Sequence, residues 1–280
     1  MDTGLLEKFK RKVEMESTYN KLLSRKAINT LINYFDVDIE EITYSNTISN
    51  PKELALSYYQ EYFPEYYKII LDGIKTGKIK IGSDIEKSEV LEDGKCFIKL
   101  NNDDFDLIVI VHELGHYINN NITSKFVQKH RIFGEVVSFY FEKDFEEKNI
   151  GKYGNLFSAR RSHRILSERK MIHAIKYMLE YEDYYLEHGN IDAIIDEKKI
   201  KLILKLSSYH CIGYGEYDTV NTLLKYPLAN LISSYMIIND LEMKQNIDEY
   251  IIYNIDLFEL MEDERIRKSI LIDENLQKLA

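Results

Sequence analysis

Apolar side chains recur at three- and four-residue intervals along most of this chain, and short polar segments separate these periodic stretches. Such spacing places apolar residues on one face of an α-helix. Between Leu5 and Phe35 the pattern is interrupted near Ser17, which predicts two consecutive helices. Helical spacing returns from Ser57 to Gly73, divided at Phe63-Pro64 because proline starts a helix more readily than it continues one. The amino-terminal part of the chain is therefore predicted to be helical.

The helical spacing of apolar residues is lost between Lys78 and Leu100. Short runs of alternating or β-branched residues there predict two strands of a small sheet, Lys78–Ile81 and Cys96–Leu100. Asn101–Asp104 then offers side-chain oxygens of the kind that cap helix starts. The apolar run that follows predicts one helix from Phe105 to Asn119, so the sheet and this helix are adjacent in sequence.

Beyond Lys125 the chain is again predicted to be helical, with loops around Asn149–Asn155 and around His188–Asn190. Only 12 glycines and 3 prolines occur, which disfavours an all-β fold with many turns. We expect a mainly α fold in a single unit over residues 1–280. Its parts are amino-terminal helices over 1–50, a core over 51–240 and carboxyl-terminal helices over 241–280.

The charge balance argues against two classes of partner. A formal net charge of -10 provides no positive field that would hold nucleic acid or an anionic membrane. Because neither a signal peptide nor a run of about 18 apolar residues is found, a cytoplasmic protein is expected. Cys96 and Cys211 form no CxxC pair, so they are expected to be ordinary buried thiols rather than a disulfide or a thiolate metal site.

The sequence HELGH at 112–116 lies inside the helix predicted after the two strands. Residues four apart on a helix share one face, so His112 and His116 can bind one metal ion together. Glu113 is then placed to take a proton from a water molecule at the metal. The same motif occurs by chance on solvated helix faces. The apolar run 107–111 argues against that alternative, because it indicates a buried helix in which unpaired polar groups would be costly.

A catalytic zinc ion needs a third protein ligand, because three side chains leave the fourth position for water. No third histidine follows in the pattern HxxGxxH, since the next one, His130, lacks the required glycine. Glu135 is the better candidate because it begins an apolar helical segment that can pack against the first helix; the alternative is a surface glutamate near a helix start. Glu142, on the same segment, is expected to orient a ligand. The predicted site is therefore Zn²⁺ bound by His112, His116 and Glu135.

Three stretches resemble the catalytic core of the oligoendopeptidase F and thimet oligopeptidase family. They are Glu61–Tyr67 with Gly77-Lys78-Ile79, Phe97–His116, and Glu135–Glu142. The likeness covers roughly Tyr58 to Tyr235, and only HELGH is sharply specific. The resemblance implies a helical zincin-type catalytic core of the gluzincin class, with a small β-sheet beside the active-site helix. It also implies zinc-dependent cleavage of short, unstructured peptides inside a channel.

The chain also departs from that family. Members are usually much longer, and their amino-terminal half forms the opposite wall of the channel. The family commonly has a histidine where this chain has Asn119, and it carries a cluster of histidine and tyrosine that donates hydrogen bonds to the oxyanion. The nearest stretch here is 209–235, and its residues His210 and Tyr217 are the candidate donors. Any single one of the 22 tyrosines could instead pack in the core with its hydroxyl at the edge.

Two other functions stay open at this point. Short zincins that cleave repressors or stress regulators also combine a HELGH-like helix with a later glutamate, but they usually follow that glutamate with alanine-asparagine where this chain has Ser138-Phe139. A zinc-stabilised binding module would need a fourth protein ligand and no base, so Glu113 argues against it. The predicted function is therefore hydrolysis of short or unstructured peptides, with a peptide substrate as partner and no prediction of oligomeric state.

Overall fold

The computed structural model describes residues 3–18, 21, 23–44, 48–91, 93–122, 132–210, 218–241 and 257–270. Most of these residues are helical, which confirms the predicted mainly α fold. The helices in this part of the chain are α1 (Thr3–Ser17), α2 (Arg25–Phe35), α3 (Pro51–Tyr62), α4 (Pro64–Lys75), α5 (Asp106–Ile122), α6 (Ile132–His188), α7 (Glu197–His210), α8 (Thr219–Ile238), α9 (Leu257–Glu262) and α10 (Glu264–Ile270), with a 3-10 turn at Asp192–Ile194.

Local sequence signals set where several helices begin. Pro51 and Pro64 stand at the starts of α3 and α4, and Phe63 separates these two helices as predicted. A proline fits there because the first N–H groups of a helix have no partner within the helix. Ser24 caps α2, because its hydroxyl accepts a hydrogen bond of 3.2 Å from the N–H of Ala27. The starts of α2, α3 and α4 are therefore explained by neighbouring residues alone.

A three-stranded sheet lies between α4 and α5 in sequence: β1 (Ile79–Gly82), β2 (Glu89–Val90) and β3 (Cys96–Lys99), in the order β1-β3-β2. β1 is parallel to β3 and β2 is antiparallel to it. The runs that form β1 and β3 were predicted; β2 was missed because two residues show no periodicity. Cys96 Sγ lies 3.8 Å from the carbonyl oxygen of Glu113, so the central strand packs against the helix that carries HELGH. The predicted small sheet beside that helix is confirmed.

Helix α5 is held in place by hydrogen bonds at its start and near its middle. At its start, the Asp106 carboxylate accepts hydrogen bonds of 2.9 Å from the N–H groups of Asn101 and Asn102. Further along, the Tyr59 hydroxyl on α3 donates to the carbonyl oxygen of Val111 at 2.8 Å. Most of the apolar residues before and within the motif are buried, as expected, and Val109 is partly buried; the buried ones are Leu107, Ile108, Ile110, Val111 and Leu114. The histidines therefore stand on a helix whose position is fixed by the core.

Helix α6 folds back on itself at Tyr153, where φ of -127° and ψ of 25° depart from helical values. Glu142 and Arg160 lie 18 residues apart, which would be about 27 Å along a straight helix. Arg160 Nε is nevertheless 3.1 Å from Glu142 Oε1. The prediction of a loop around Asn149–Asn155 is therefore wrong. The chain does reverse direction there, but through a kink between two helical segments.

Two other expectations concern single positions. α6 ends at His188, and Gly189 follows with a φ of 72°, a left-handed conformation that glycine adopts without strain. The loop predicted around His188–Asn190 is therefore confirmed. Cys96 is a buried free thiol, as expected, whereas Cys211 lies outside the described residues.

Helix α8 packs along α6, and its amino terminus is held by a residue from the start of the chain. Glu16 is fully buried, and its carboxylate oxygens accept hydrogen bonds from the N–H groups of Thr219 at 2.8 Å and Val220 at 2.9 Å. A carboxylate is favourable there because these N–H groups form the positive end of the helix dipole. None of the helices in the described ranges, α8 included, combines the length and apolar character that a membrane span requires.

Candidate metal centre

Three side chains from α5 and α6 converge at one point. His112 and His116 lie one turn apart, with ring centroids 4.9 Å from each other. Glu135 Oε2 lies 3.6 Å from His112 Nε2 and 3.4 Å from His116 Nε2. One nitrogen or oxygen atom from each residue lies within 4.8 Å of the other two. The structure thus brings together the three residues predicted as ligands, and this group could hold a metal ion.

The state of Glu135 provides a test of whether a cation fits. The residue is buried, and Oε2 has no hydrogen-bond partner among the residues that the structure describes. A buried carboxylate oxygen without a partner is costly. A cation held between Oε2 and the two Nε2 atoms would remove that cost, because all three atoms are electron-pair donors. The site therefore fits a metal ion in its chemistry as well as in its geometry.

Gly115 allows α5 and α6 to approach closely enough for this convergence. A Cβ atom at position 115 would lie 2.8 Å from the Cα of Ser138 and 3.3 Å from Phe141 Cδ2. The first contact is with backbone, which cannot rotate away as a side chain can. Because Ser138 lies one turn after Glu135, the same close approach brings the Glu135 carboxylate up to the histidines. The glycine inside HELGH therefore has a packing role.

The two oxygens of Glu135 have different partners. Oε1 lies 3.2 Å from Lys225 Nζ on α8, whereas Oε2 faces the imidazoles. The ammonium therefore leaves one oxygen for a metal ion and fixes the rotation of the carboxylate. Lys225 was not among the residues predicted for the site. A signal was present nonetheless, because Lys225 is the one charged residue in α8, most of which is buried, and a buried charge is costly without a partner.

The other nitrogen of His112 is also engaged. Its Nδ1 lies 3.1 Å from Glu142 Oε2, and Glu142 Oε1 in turn accepts hydrogen bonds from Arg160 and Arg164. A hydrogen bond from Nδ1 to a carboxylate fixes the ring so that Nε2 faces the metal position. This is the position that the sequence predicted for Glu142. No sequence pattern pointed to Arg160 and Arg164, because they reach Glu142 only through the kink in α6.

Electrostatics set the protonation states of these groups. Burial raises the pKa of Glu135, but His116 and Lys225 outweigh it and hold the pKa well below its usual range. For Glu142, burial is likewise outweighed by Arg164 and Arg160, so its pKa is also lowered. Burial lowers the pKa of His112, yet the carboxylates of Glu135 and Glu142 together raise it to about 9.

These shifts have one consequence for metal binding. Without a metal, His112 is protonated at neutral pH and faces two ionised carboxylates. A metal ion binds the neutral imidazole, so its binding must release this proton. A bound metal ion would supply positive charge beside Glu135 in place of the charge lost with that proton.

Of the remaining predicted site residues, the structure describes Glu113 in full, His210 only in its backbone and Tyr217 not at all. Glu113 is partly exposed on α5, and its charge contributes to the raised pKa of His112, so it lies close to the convergence point. His210 is the last residue of α7, but its side chain and the whole of Tyr217 lie outside the described residues. The two candidate oxyanion donors therefore stay predictions.

Comparison of the chain with protein-family models finds no match, and comparison with curated proteins and with solved structures finds none either. The resemblance to the oligoendopeptidase F and thimet oligopeptidase family therefore depends on the residues quoted for it. The family, the zincin-type core and the activity that it implies stay predictions.

Proposed function

We propose that this chain is a zinc metallopeptidase that hydrolyses short or unstructured peptides. The observation that carries the proposal is the convergence of His112, His116 and Glu135, with Glu113 on the same helix as the histidines. Two imidazoles and one carboxylate are a ligand set of catalytic zinc sites, which leave a position for water or substrate. Structural zinc sites use four protein ligands, whereas the group found in the described part of the chain has three members. The ligand number therefore favours catalysis over a zinc-stabilised binding module.

Each residue has a distinct task in this mechanism. Zinc, when bound, polarises the carbonyl of the scissile peptide and makes a water molecule more acidic. Glu113 takes the proton from the attacking water and delivers it to the nitrogen of the leaving amine. Glu142 keeps the His112 ring in its orientation, and Lys225 keeps the Glu135 carboxylate in its own. No covalent intermediate with the protein is needed.

The substrate class in this proposal follows from the family resemblance, and so does the assignment of His210 and Tyr217 as oxyanion donors. Zincins that cleave folded repressors or regulators share the same metal chemistry. The size and folded state of the best substrate therefore separate these two classes, whereas the metal centre does not.

A digest of a peptide library by the purified, zinc-loaded protein tests the proposal, with cleavage products identified by mass spectrometry. The wild-type chain is expected to bind about one zinc ion and to cleave peptides. Glu113→Gln should retain zinc and cleave at least about 100-fold more slowly, because the amide preserves the shape of the side chain but removes the base. Glu187→Gln, an exposed carboxylate at the far end of α6, is the matched control and should behave as wild type.

Three outcomes would change this conclusion. Cleavage by Glu113→Gln at the wild-type rate would show that the proton transfer is assigned to the wrong residue. A wild-type protein that binds zinc but cleaves neither peptides nor folded proteins would favour the binding module. Preferential cleavage of a folded protein would favour the regulator-cleaving class.

A further inference from the structure

A cavity of about 270 Å³ lies away from the candidate metal ligands, between the two halves of α6, the end of α8 and α10. One part of its wall is apolar and consists of Ile150, Ile237 and Ile238. Four ionisable residues line another part: Lys143, Arg161, Glu146 and Glu147. A concave site with an apolar wall and a few polar groups is the usual form of a small-molecule site.

Lys143 is the unusual residue of this cavity. It is only 7% exposed, and no hydrogen bond or ion pair joins its ammonium to any residue that the structure describes. Burying a charge without a partner is costly. Burial and the nearby Arg164 lower the pKa of Lys143 to about 7 and outweigh the opposing effect of Glu146. The cavity therefore contains a buried amine whose protonated form would be stabilised by an anion.

The other polar groups indicate which ligand charge fits. Arg161 Nε donates a hydrogen bond of 2.6 Å to Glu146 Oε1, so these two charges compensate each other. A guanidinium has five N–H donors, and this bond uses one of them. The exposed Glu147 is screened by solvent.

The buried Glu168 also acts on Lys143, but both of its carboxylate oxygens accept from the Asn230 amide, at 3.0 and 2.9 Å, and it does not line the cavity. Lys143 is therefore left without an ion-pair partner in the wall, which matches a single negative charge on a ligand.

The two serines in the wall do not change this balance. The Ser234 hydroxyl donates to the carbonyl oxygen of Asn230 at 2.8 Å, and the Ser269 hydroxyl donates to that of Ile266 at 2.8 Å. Their protons are committed to the backbone. The donors toward a ligand are therefore Lys143 and the remaining N–H groups of Arg161.

We propose that this cavity binds a small aliphatic monocarboxylate, whose carboxylate pairs with Lys143 and Arg161 and whose hydrocarbon chain packs on Ile150, Ile237 and Ile238. The site is independent of the peptidase reaction and shares none of its proposed ligands. Lys143 nevertheless follows Glu142 directly, so the ligand would lie beside the same turn of α6 that orients His112.

Titration calorimetry of the zinc-loaded protein with hexanoate tests the proposal. Hexanoate should bind the wild-type chain, and hexanamide, which has the same shape without the charge, should bind at least about tenfold more weakly. Lys143→Met keeps the length of the side chain and should weaken hexanoate binding by a similar factor. Lys225→Met is the matched control, because it removes a cation from the metal centre and leaves the cavity intact; hexanoate binding should be unchanged.

A second measurement uses the wild-type protein alone, so it holds even if Lys143→Met does not fold. Hexanoate should protect Lys143 from reductive methylation by formaldehyde and cyanoborohydride, and hexanamide should not. The proposal is overturned if hexanoate does not bind, if it binds Lys143→Met as tightly as wild type, or if it leaves Lys143 unprotected. Binding that disappears when zinc is removed would assign the carboxylate to the metal centre and also overturn it.

Discussion

Glu142 Oε2 lies 3.1 Å from His112 Nδ1, on the side of the imidazole ring that faces away from Glu135. One carboxylate of α6 therefore orients the ring, and another carboxylate of the same helix faces its second nitrogen. Arg160 and Arg164, from the returning half of α6, hold the orienting carboxylate in its ionised form. The orientation of the His112 ring is thus set by contacts that exist without a metal.

The different positions of these two carboxylates lead to different expected losses of zinc affinity. Glu142→Gln should lower zinc affinity by about 10- to 100-fold, because it weakens the orientation of His112 but removes no ligand. Glu135→Ala should lower it further, because a ligand is lost. Competition with a chelator of known affinity measures both values. A larger loss for Glu142→Gln than for Glu135→Ala would show that the ligand assignment is wrong.

The close contact at Gly115 predicts a loss of stability on substitution. Gly115→Ala places a Cβ 2.8 Å from the Ser138 Cα and should cost about 1–3 kcal/mol of unfolding free energy through overpacking. Gly134→Ala, at the start of α6, is the control, because its Cβ would meet Asn119 Nδ2 at an ordinary 3.6 Å. That variant should be neutral or more stable, since alanine favours helix. Urea unfolding of the two metal-free variants measures this difference. Equal unfolding free energies for Gly115→Ala and Gly134→Ala would contradict the packing role of Gly115.

The buried carboxylate of Glu16 is expected to stabilise the start of α8. Glu16→Gln should lower the unfolding free energy by about 1.5–3 kcal/mol, because an amide can accept at only one of its two atoms and carries no charge. Glu40→Gln, on the surface, is the matched control and should have little effect. Urea denaturation compares the two variants with wild type. Similar midpoints for Glu16→Gln and Glu40→Gln would refute this role.

The raised pKa of His112 predicts a pH dependence of stability in the metal-free protein. Its folded value of about 9 exceeds the ordinary value of 6.5, so the protonated ring contributes stability that is complete below pH 6.5. That contribution is lost as the pH rises through 9. The measurement is the difference in unfolding free energy between metal-free wild type and His112→Gln, in which the titrations of groups distant from His112 cancel. A difference that stays constant from pH 6 to pH 10 would contradict the prediction.

The placement of Glu142 and Lys225 shows how far prediction from sequence could reach. The role of Glu142 could be predicted because it shares a helix face with Glu135, seven positions away, and this periodicity is local. Lys225 joins Glu135 from α8, and no spacing along the chain relates the two residues. Strand β2 escaped prediction for a different reason, since its two residues are too few to show alternation.

Features that depend on neighbouring residues along the chain could be predicted from the sequence. The one-turn spacing of His112 and His116 follows from helix geometry, and the separation of α3 from α4 follows from the restricted backbone of Pro64. Tertiary structure alone decided which groups meet across helices. The contact of Arg160 with Glu142 requires the kink at Tyr153, and its angle depends on how the two halves of α6 pack. Such contacts join residues that are distant along the chain, so local periodicity contains no information about them.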